Sequence, residues 1–133
     1  MSSDPQSHLK LGRGGLADIE WTVQLLQMRH AGAVLGLRTS RTLEALAAAR
    51  DAELLSASDA DVLMLGWRWV SRVRNAITLV RGKGSDQLPH DIRERGAVAN
   101  VLGYPAGATD RMVNDHLRTM RVSHAVVERV FWE

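Results

Sequence analysis

Lys10-Leu11-Gly12-Arg13-Gly14-Gly15-Leu16-Ala17-Asp18-Ile19-Glu20-Trp21 is a basic, glycine-rich turn that runs directly into a helix-patterned segment. Three glycines within four positions give the backbone conformations closed to other residues, and successive N–H groups in such a turn converge readily on an anion. The helix that follows adds unpaired N–H groups and the positive end of its dipole. Lys10 and Arg13 bring full charges to the same place, where a phosphate or carboxylate is favoured. Glycine-rich turns also serve as plain chain reversals before helices, and residue chemistry by itself does not separate the two roles.

Downstream of this turn the periodicity is helical throughout. A first helix is expected from about Gly15 to His30, with Leu16, Ile19, Val23 and Leu26 on one apolar stripe and Trp21, Leu25 and Met28 on a second. Two stripes predict packing from two directions. Between them run two polar strips, Glu20/Gln24/Gln27 and Asp18/Thr22/Arg29, whose groups must find partners if buried. Gly32 is the expected left-handed cap, and Arg38 precedes a second helix capped by Thr39 or Ser40, with Leu43, Leu46 and Ala47 inward.

The Asp59-Ala60-Asp61 pair has the spacing of a polymerase-type metal site, but such carboxylates sit on one face of a strand. Here Ser58 and Asp61 read as a capping pair opening a helix. That helix is expected from Asp59 to about Arg81, burying Val62, Gly66, Trp69, Val70, Val73, Ile77 and Val80 and exposing Arg68, Arg72 and Asn75. Arg81 to Pro89 reads as a plain basic loop, lacking the strand and the Gly-Lys-Ser/Thr ending of a phosphate loop. Asp91 and Glu94 cap a short helix holding Ile92, Val98 and Leu102, closed by Gly103. Thr109 opens the last helix, with Val113, Leu117, Met120, His124, Val127 and Phe131 on one stripe. The expected fold is an all-α bundle of five or six helices in a single domain over residues 9–133, preceded by a linker over 1–8.

Composition narrows the function classes. The 133 residues are 45% apolar, enough for one core. The absence of cysteine excludes thiol catalysis and cysteine-ligated zinc and is compatible with a reducing cytoplasm. The apolar runs are too short for a membrane span. All but two of the 17 lysines and arginines are arginine, so the net charge is only +2 while the isoelectric point is near 9.7. Histidines are scattered, and no metal ligand set or catalytic residue is expected.

Lys10-x-Gly12-x-Gly14-Gly15-x-x-Asp18-Ile19-Glu20-Trp21, followed by Gln24, resembles the opening of the helical domain that follows the nucleotidyltransferase domain in glutamine synthetase adenylyltransferases and the related PII uridylyltransferases. Leu37-Arg38, Leu43-Glu44-Ala45-Leu46, Leu88-Pro89 and Leu102-Gly103-Tyr104 extend the likeness as far as about Tyr104. The stretch Ser71 to Thr78 departs from the adenylyltransferase pattern towards the uridylyltransferase one. The resemblance implies a part of a bifunctional adenylyltransferase/adenylyl-removing enzyme, with a catalytic domain just upstream. If Glu133 is the native terminus, this is the C-terminal, adenylylating half.

It further implies ATP and Mg2+ as cofactors of the full-length enzyme, none held tightly here, and a cytoplasmic location. Its expected partners are the upstream nucleotidyltransferase domain, glutamine synthetase and PII protein, with neither nucleic acid nor membrane. Lys10, Gly12, Arg13, Gly14, Gly15, Asp18 and Glu20 are the candidate nucleotide-binding residues. A protein-interaction module, or the helical domain of a PII uridylyltransferase, is the alternative. A nucleic-acid-binding bundle would use Arg68, Arg72, Arg74 and Arg81 but has few aromatic residues for stacking.

Overall fold

The computed structural model describes residues 14–132; the 1–8 linker and Lys10, Gly12 and Arg13 lie outside them. The described residues form five α-helices: α1 (Leu16–His30), α2 (Thr42–Asp51), α3 (Ala57–Arg81), α4 (Ile92–Val101) and α5 (Thr109–Trp132). A 3-10 turn, Leu35–Leu37, joins α1 to α2, and no β-strand occurs among the described residues. The fold is the expected all-α bundle.

The 25-residue α3, about 37 Å long, is the spine and touches all four other helices. Asp59 near its start is bonded to Arg129 near the end of α5, and Trp69 in its middle to His116 in the first half of α5, so the two run antiparallel. Two apolar clusters lie along them. One joins Ile19, Val23 and Leu26 of α1 to Leu46, Leu63 and Val127. The other joins the C-terminal half of α3, through Val73 and Ile77, to Leu88, Val98, Met112 and Met120. Each large buried side chain contributes roughly 1.5–3 kcal/mol, whereas an exposed ion pair such as Arg41–Glu44 contributes about 0–1 kcal/mol. The clusters therefore hold the fold.

Several helix ends differ from expectation. α3 starts two residues early, because Ser56, not Ser58, accepts the third-residue N–H, that of Asp59, at 3.0 Å. Leu55 before this cap and Ala60 after it are both buried in one cluster, a hydrophobic staple that fixes the earlier start. Thr39 does not cap α2 directly; its hydroxyl accepts the Arg41 N–H and donates to Glu44, tightening the turn ahead of Thr42. Gly32 is not left-handed, since the chain leaves α1 through Ala31 and the 3-10 turn instead. Thr109 is the first residue of α5 rather than its cap, the Met112 N–H bonding Ala108 O. Asp91 caps α4 as expected, and Gly103 ends it with φ +96°.

Two faces also differ. The inner stripe of α1 is buried, but Trp21 and Met28 on the second are 55% and 84% exposed: α2, α3 and α5 occupy the other sides of the helix. Ile92, expected inside, faces solvent. On α5 the buried face is Met112, His116, Met120, Ser123, Val126 and Val127, sharing only Met120 and Val127 with the expected stripe. The reason is the crossing with α3. A Cβ on Gly66 would lie 2.3 Å from Ser123 Oγ, so two small residues must face each other there.

Gly66→Ala should lower stability by about 1–3 kcal/mol. Adding Ser123→Ala should restore part of the loss, because Oγ is the first atom met and Ser123 Cβ stands back at 3.4 Å. Thermal melts of both single variants and the double variant check this; strictly additive effects would contradict the crossing.

Candidate functional site

The glycine turn is held from two sides. Gly14 has φ +79°, and a Cβ there would fall 1.9 Å from the Met120 carbonyl oxygen of α5, so only glycine fits. Its N–H donates to Asp18 Oδ2 at 2.8 Å, one turn into α1. Gly15 is the N-cap residue, and no side chain caps the helix. Asp18 Oδ2 in turn lies 3.5 Å from His124 Nδ1, whose Nε2 is 3.2 Å from Glu128 Oε1. Expected as a core histidine, His124 is half-buried and joins this acidic chain. Asp18 thus acts on the turn itself, while Lys10, Gly12 and Arg13 lie outside the described residues.

Glu20 lies elsewhere, on the other polar strip, as the roughly 200° between the two positions requires. Glu20, Gln24 and Gln27 form one wall of a groove of about 810 Å³, whose other wall is residues 39–44 and which also takes in Trp67. Gln27 closes its end: its side-chain amide donates to Leu37 O and Thr39 O, both at 2.8 Å. The second strip is satisfied by Thr22 Oγ1, which donates to Asp18 O. Arg38 covers the end of α1, donating to Ala31 O at 2.9 Å and Gly32 O at 3.4 Å, which makes it a staple for carbonyls that the helix leaves unpaired.

A polar network on α5 was not legible in the sequence. Trp69 Nε1 donates to Nδ1 of the buried His116 at 2.9 Å, and Tyr104 donates to Asp115 Oδ2 at 2.6 Å. Arg118 pairs with the other oxygen of Asp115 at 2.6 Å. Burial and the hydrogen bond to Asp115 push the Tyr104 hydroxyl up to about 12. The bonds from Tyr104 and Arg118 hold the Asp115 carboxyl below its ordinary value. The only available signals were the polar residues themselves, at helix positions that do not repeat. Among the described residues no group of three His, Asp or Glu side chains could hold a metal ion, and no helix is long and apolar enough to cross a membrane.

Two outcomes follow from this geometry. Gly14→Ala should cost more stability than Asp18→Ala: about 2–5 kcal/mol for the clash and the positive φ, against about 1–3 kcal/mol for an unpaired N–H. Urea unfolding of both variants checks the order. Tyr104 is the sole tyrosine, so phenolate absorbance reads it directly. Its midpoint should lie near 12 rather than the usual 10.0 and fall towards 10.0 in Asp115→Asn. With the folded value raised, the stability linked to this proton is fully present below pH 10.0 and is lost as pH rises towards 12.

Residues 2–132 match the family model described as GlnD PII-uridylyltransferase. The chain is 50% identical over 130 residues to the bifunctional glutamine synthetase adenylyltransferase/adenylyl-removing enzyme of Streptomyces coelicolor, covering 98% of this chain and 13% of that protein. It is 55% identical over 130 residues to the enzyme of the same name from Nocardia farcinica, at 97% and 13% coverage. The one from Mycobacterium avium is 49% identical over 129 residues, again at 97% and 13%. The chain thus spans about 13% of the length of these curated relatives. The family match also runs through α5, past Tyr104, where the residue pattern by itself loses the likeness. Matched over nearly its whole length, the chain belongs to the GlnD PII-uridylyltransferase family, as a helical module that also forms part of proteins named as bifunctional glutamine synthetase adenylyltransferases/adenylyl-removing enzymes.

Proposed function

We propose that the chain serves as the helical module of a bifunctional enzyme that transfers AMP from ATP to glutamine synthetase and removes it, and that the module positions nucleotide or target for a catalytic domain. The observation that carries this is the glycine turn, wedged against Met120 and tied to Asp18. In this reading Gly14 and Asp18 set its shape, since the Gly14 N–H already has a partner, and the anion contacts fall to Gly15, Lys10 and Arg13 with Gly12 giving them room. Glu20 orients the adjoining groove wall. Positive charge and N–H groups at the start of α1 favour phosphate oxygens there.

ATP and Mg2+ belong to the full-length enzyme, as do the nucleotidyltransferase domain, glutamine synthetase and PII protein as partners, in the cytoplasm. The name of the matching family model supports a second reading, a helical domain of a PII uridylyltransferase. Assaying the longer protein for AMP transfer to glutamine synthetase against UMP transfer to PII distinguishes them.

This chain by itself, given ATP, Mg2+ and glutamine synthetase, should transfer no AMP; measurable transfer would overturn the division of labour. In the full-length enzyme Arg13→Ala and Asp18→Asn should weaken ATP affinity and turnover in protein that remains folded. A lowered melting temperature with unchanged ATP affinity and turnover would make the turn purely structural.

A further inference from the structure

Where α3 and α5 diverge from the Gly66–Ser123 crossing they leave an open groove in two connected parts. The first, about 430 Å³, is walled by Val62 and Leu65 of α3 and Val122 of α5 over the Gly66–Ser123 floor. Leu65 is 62% exposed and Val122 44%, and the buried Ser123 hydroxyl has no hydrogen-bond partner among the described residues. The second, about 260 Å³, is lined by Arg72 and Arg111 around Tyr104 and the turn after α4. Trp69, Tyr104 and Asp115 line both parts.

The charges in the groove are unequal. Among the described residues Asp115 is the only carboxylate lining either part, and it is occupied by the Tyr104 hydroxyl and Arg118. Among the described residues Arg72 donates to the Leu102 carbonyl alone, at 3.3 Å, and Arg111 lies over the Tyr104 ring at 5.9 Å. Among the described residues neither forms a salt bridge, although Arg111 is near enough to Asp115 to help hold its carboxyl below its ordinary value. Their guanidinium groups are therefore available to an oxyanion. Leu65 and Arg72 are seven residues apart on one helix, about 10 Å along its axis.

We propose that this groove is a docking site for an acidic protein segment, one that places an aliphatic anchor between Leu65 and Val122 and carboxylates on Arg72 and Arg111 about two helical turns away. Complementary charge argues for an acidic partner over a basic one. The aliphatic end argues for protein over a phosphate backbone, which would use the arginines and leave Leu65 and Val122 in water. An exposed apolar surface next to uncommitted charge is the usual composition of a recognition surface, with an apolar centre and a polar rim. The assignment stands apart from the nucleotide reading, because neither Asp18 nor Glu20 lines this groove.

The probe is a fluorescein-labelled helical peptide with a leucine pair on one face and a glutamate pair two turns further on, titrated into the 133-residue chain by fluorescence anisotropy. Saturable binding is expected, weakened at least about fivefold by Leu65→Ser or by Arg111→Gln and weakened by added salt. Leu79→Ser, on the same helix but outside the groove, should leave it unchanged. Thermal melts by circular dichroism confirm that each variant is folded. A control peptide with serines for leucines should bind more weakly. Equal binding by that control reduces the groove to an anion site and overturns the proposal. So does binding insensitive to both groove substitutions, or no saturable binding up to millimolar peptide. Sedimentation showing self-association of the chain that Leu65→Ser abolishes would assign the face to a second copy and overturn it as well.

Discussion

Two helices approach closely only where neither presents bulk, and the meeting of Gly66 with Ser123 is where α3 and α5 satisfy that condition. The rest of the architecture depends on it. With the crossing fixed, Asp59 reaches Arg129 on one side and Trp69 reaches His116 on the other, so register is set along both helices. The apolar clusters then form above and below, joined through Trp67, which packs against both. The crossing also decides which side of α5 faces inward, and hence that Met120 meets the glycine turn.

The turn illustrates how a local motif becomes a tertiary one. Its glycines are needed for more than conformational freedom: at Gly14 the limiting object is a carbonyl of another helix, which leaves no space for a Cβ. Asp18, in the first turn of α1, complements the helix dipole and also takes the Gly14 N–H, while His124 of α5 stands 3.5 Å from it. Any displacement of α5 is therefore felt at the turn.

The polar strips of α1 show why half-buried polar groups are informative. Gln27 draws two carbonyls of the following loop onto α1, and Arg38 draws the end of α1 onto that loop, so the connection is bound from both ends. The Gln27 contacts are part-buried and satisfy backbone carbonyls that would cost up to about 1–3 kcal/mol if left buried and unpaired, whereas the Arg38 contact is exposed. The groove bounded by Glu20 and Gln24 is what remains between α1 and this tied-down segment.

Helix identity, the inner stripe of α1, the Asp91 cap, the Gly103 end of α4 and the family resemblance were all legible in the sequence, because each rests on chemistry within a few residues or on a dense motif. The Asp59–Asp61 pair was legible as a helix start for the same reason, although the cap proved to be Ser56, one staple earlier. What only the tertiary structure decided is which faces are covered. Trp21 and Met28 carry the periodicity of a buried stripe yet face outward, and His116 and Ser123 are buried despite their polarity. Periodicity states that a face is apolar, not that a neighbour exists to cover it. A buried histidine is made acceptable by a tryptophan N–H 47 positions away in sequence, a partner that no local pattern names.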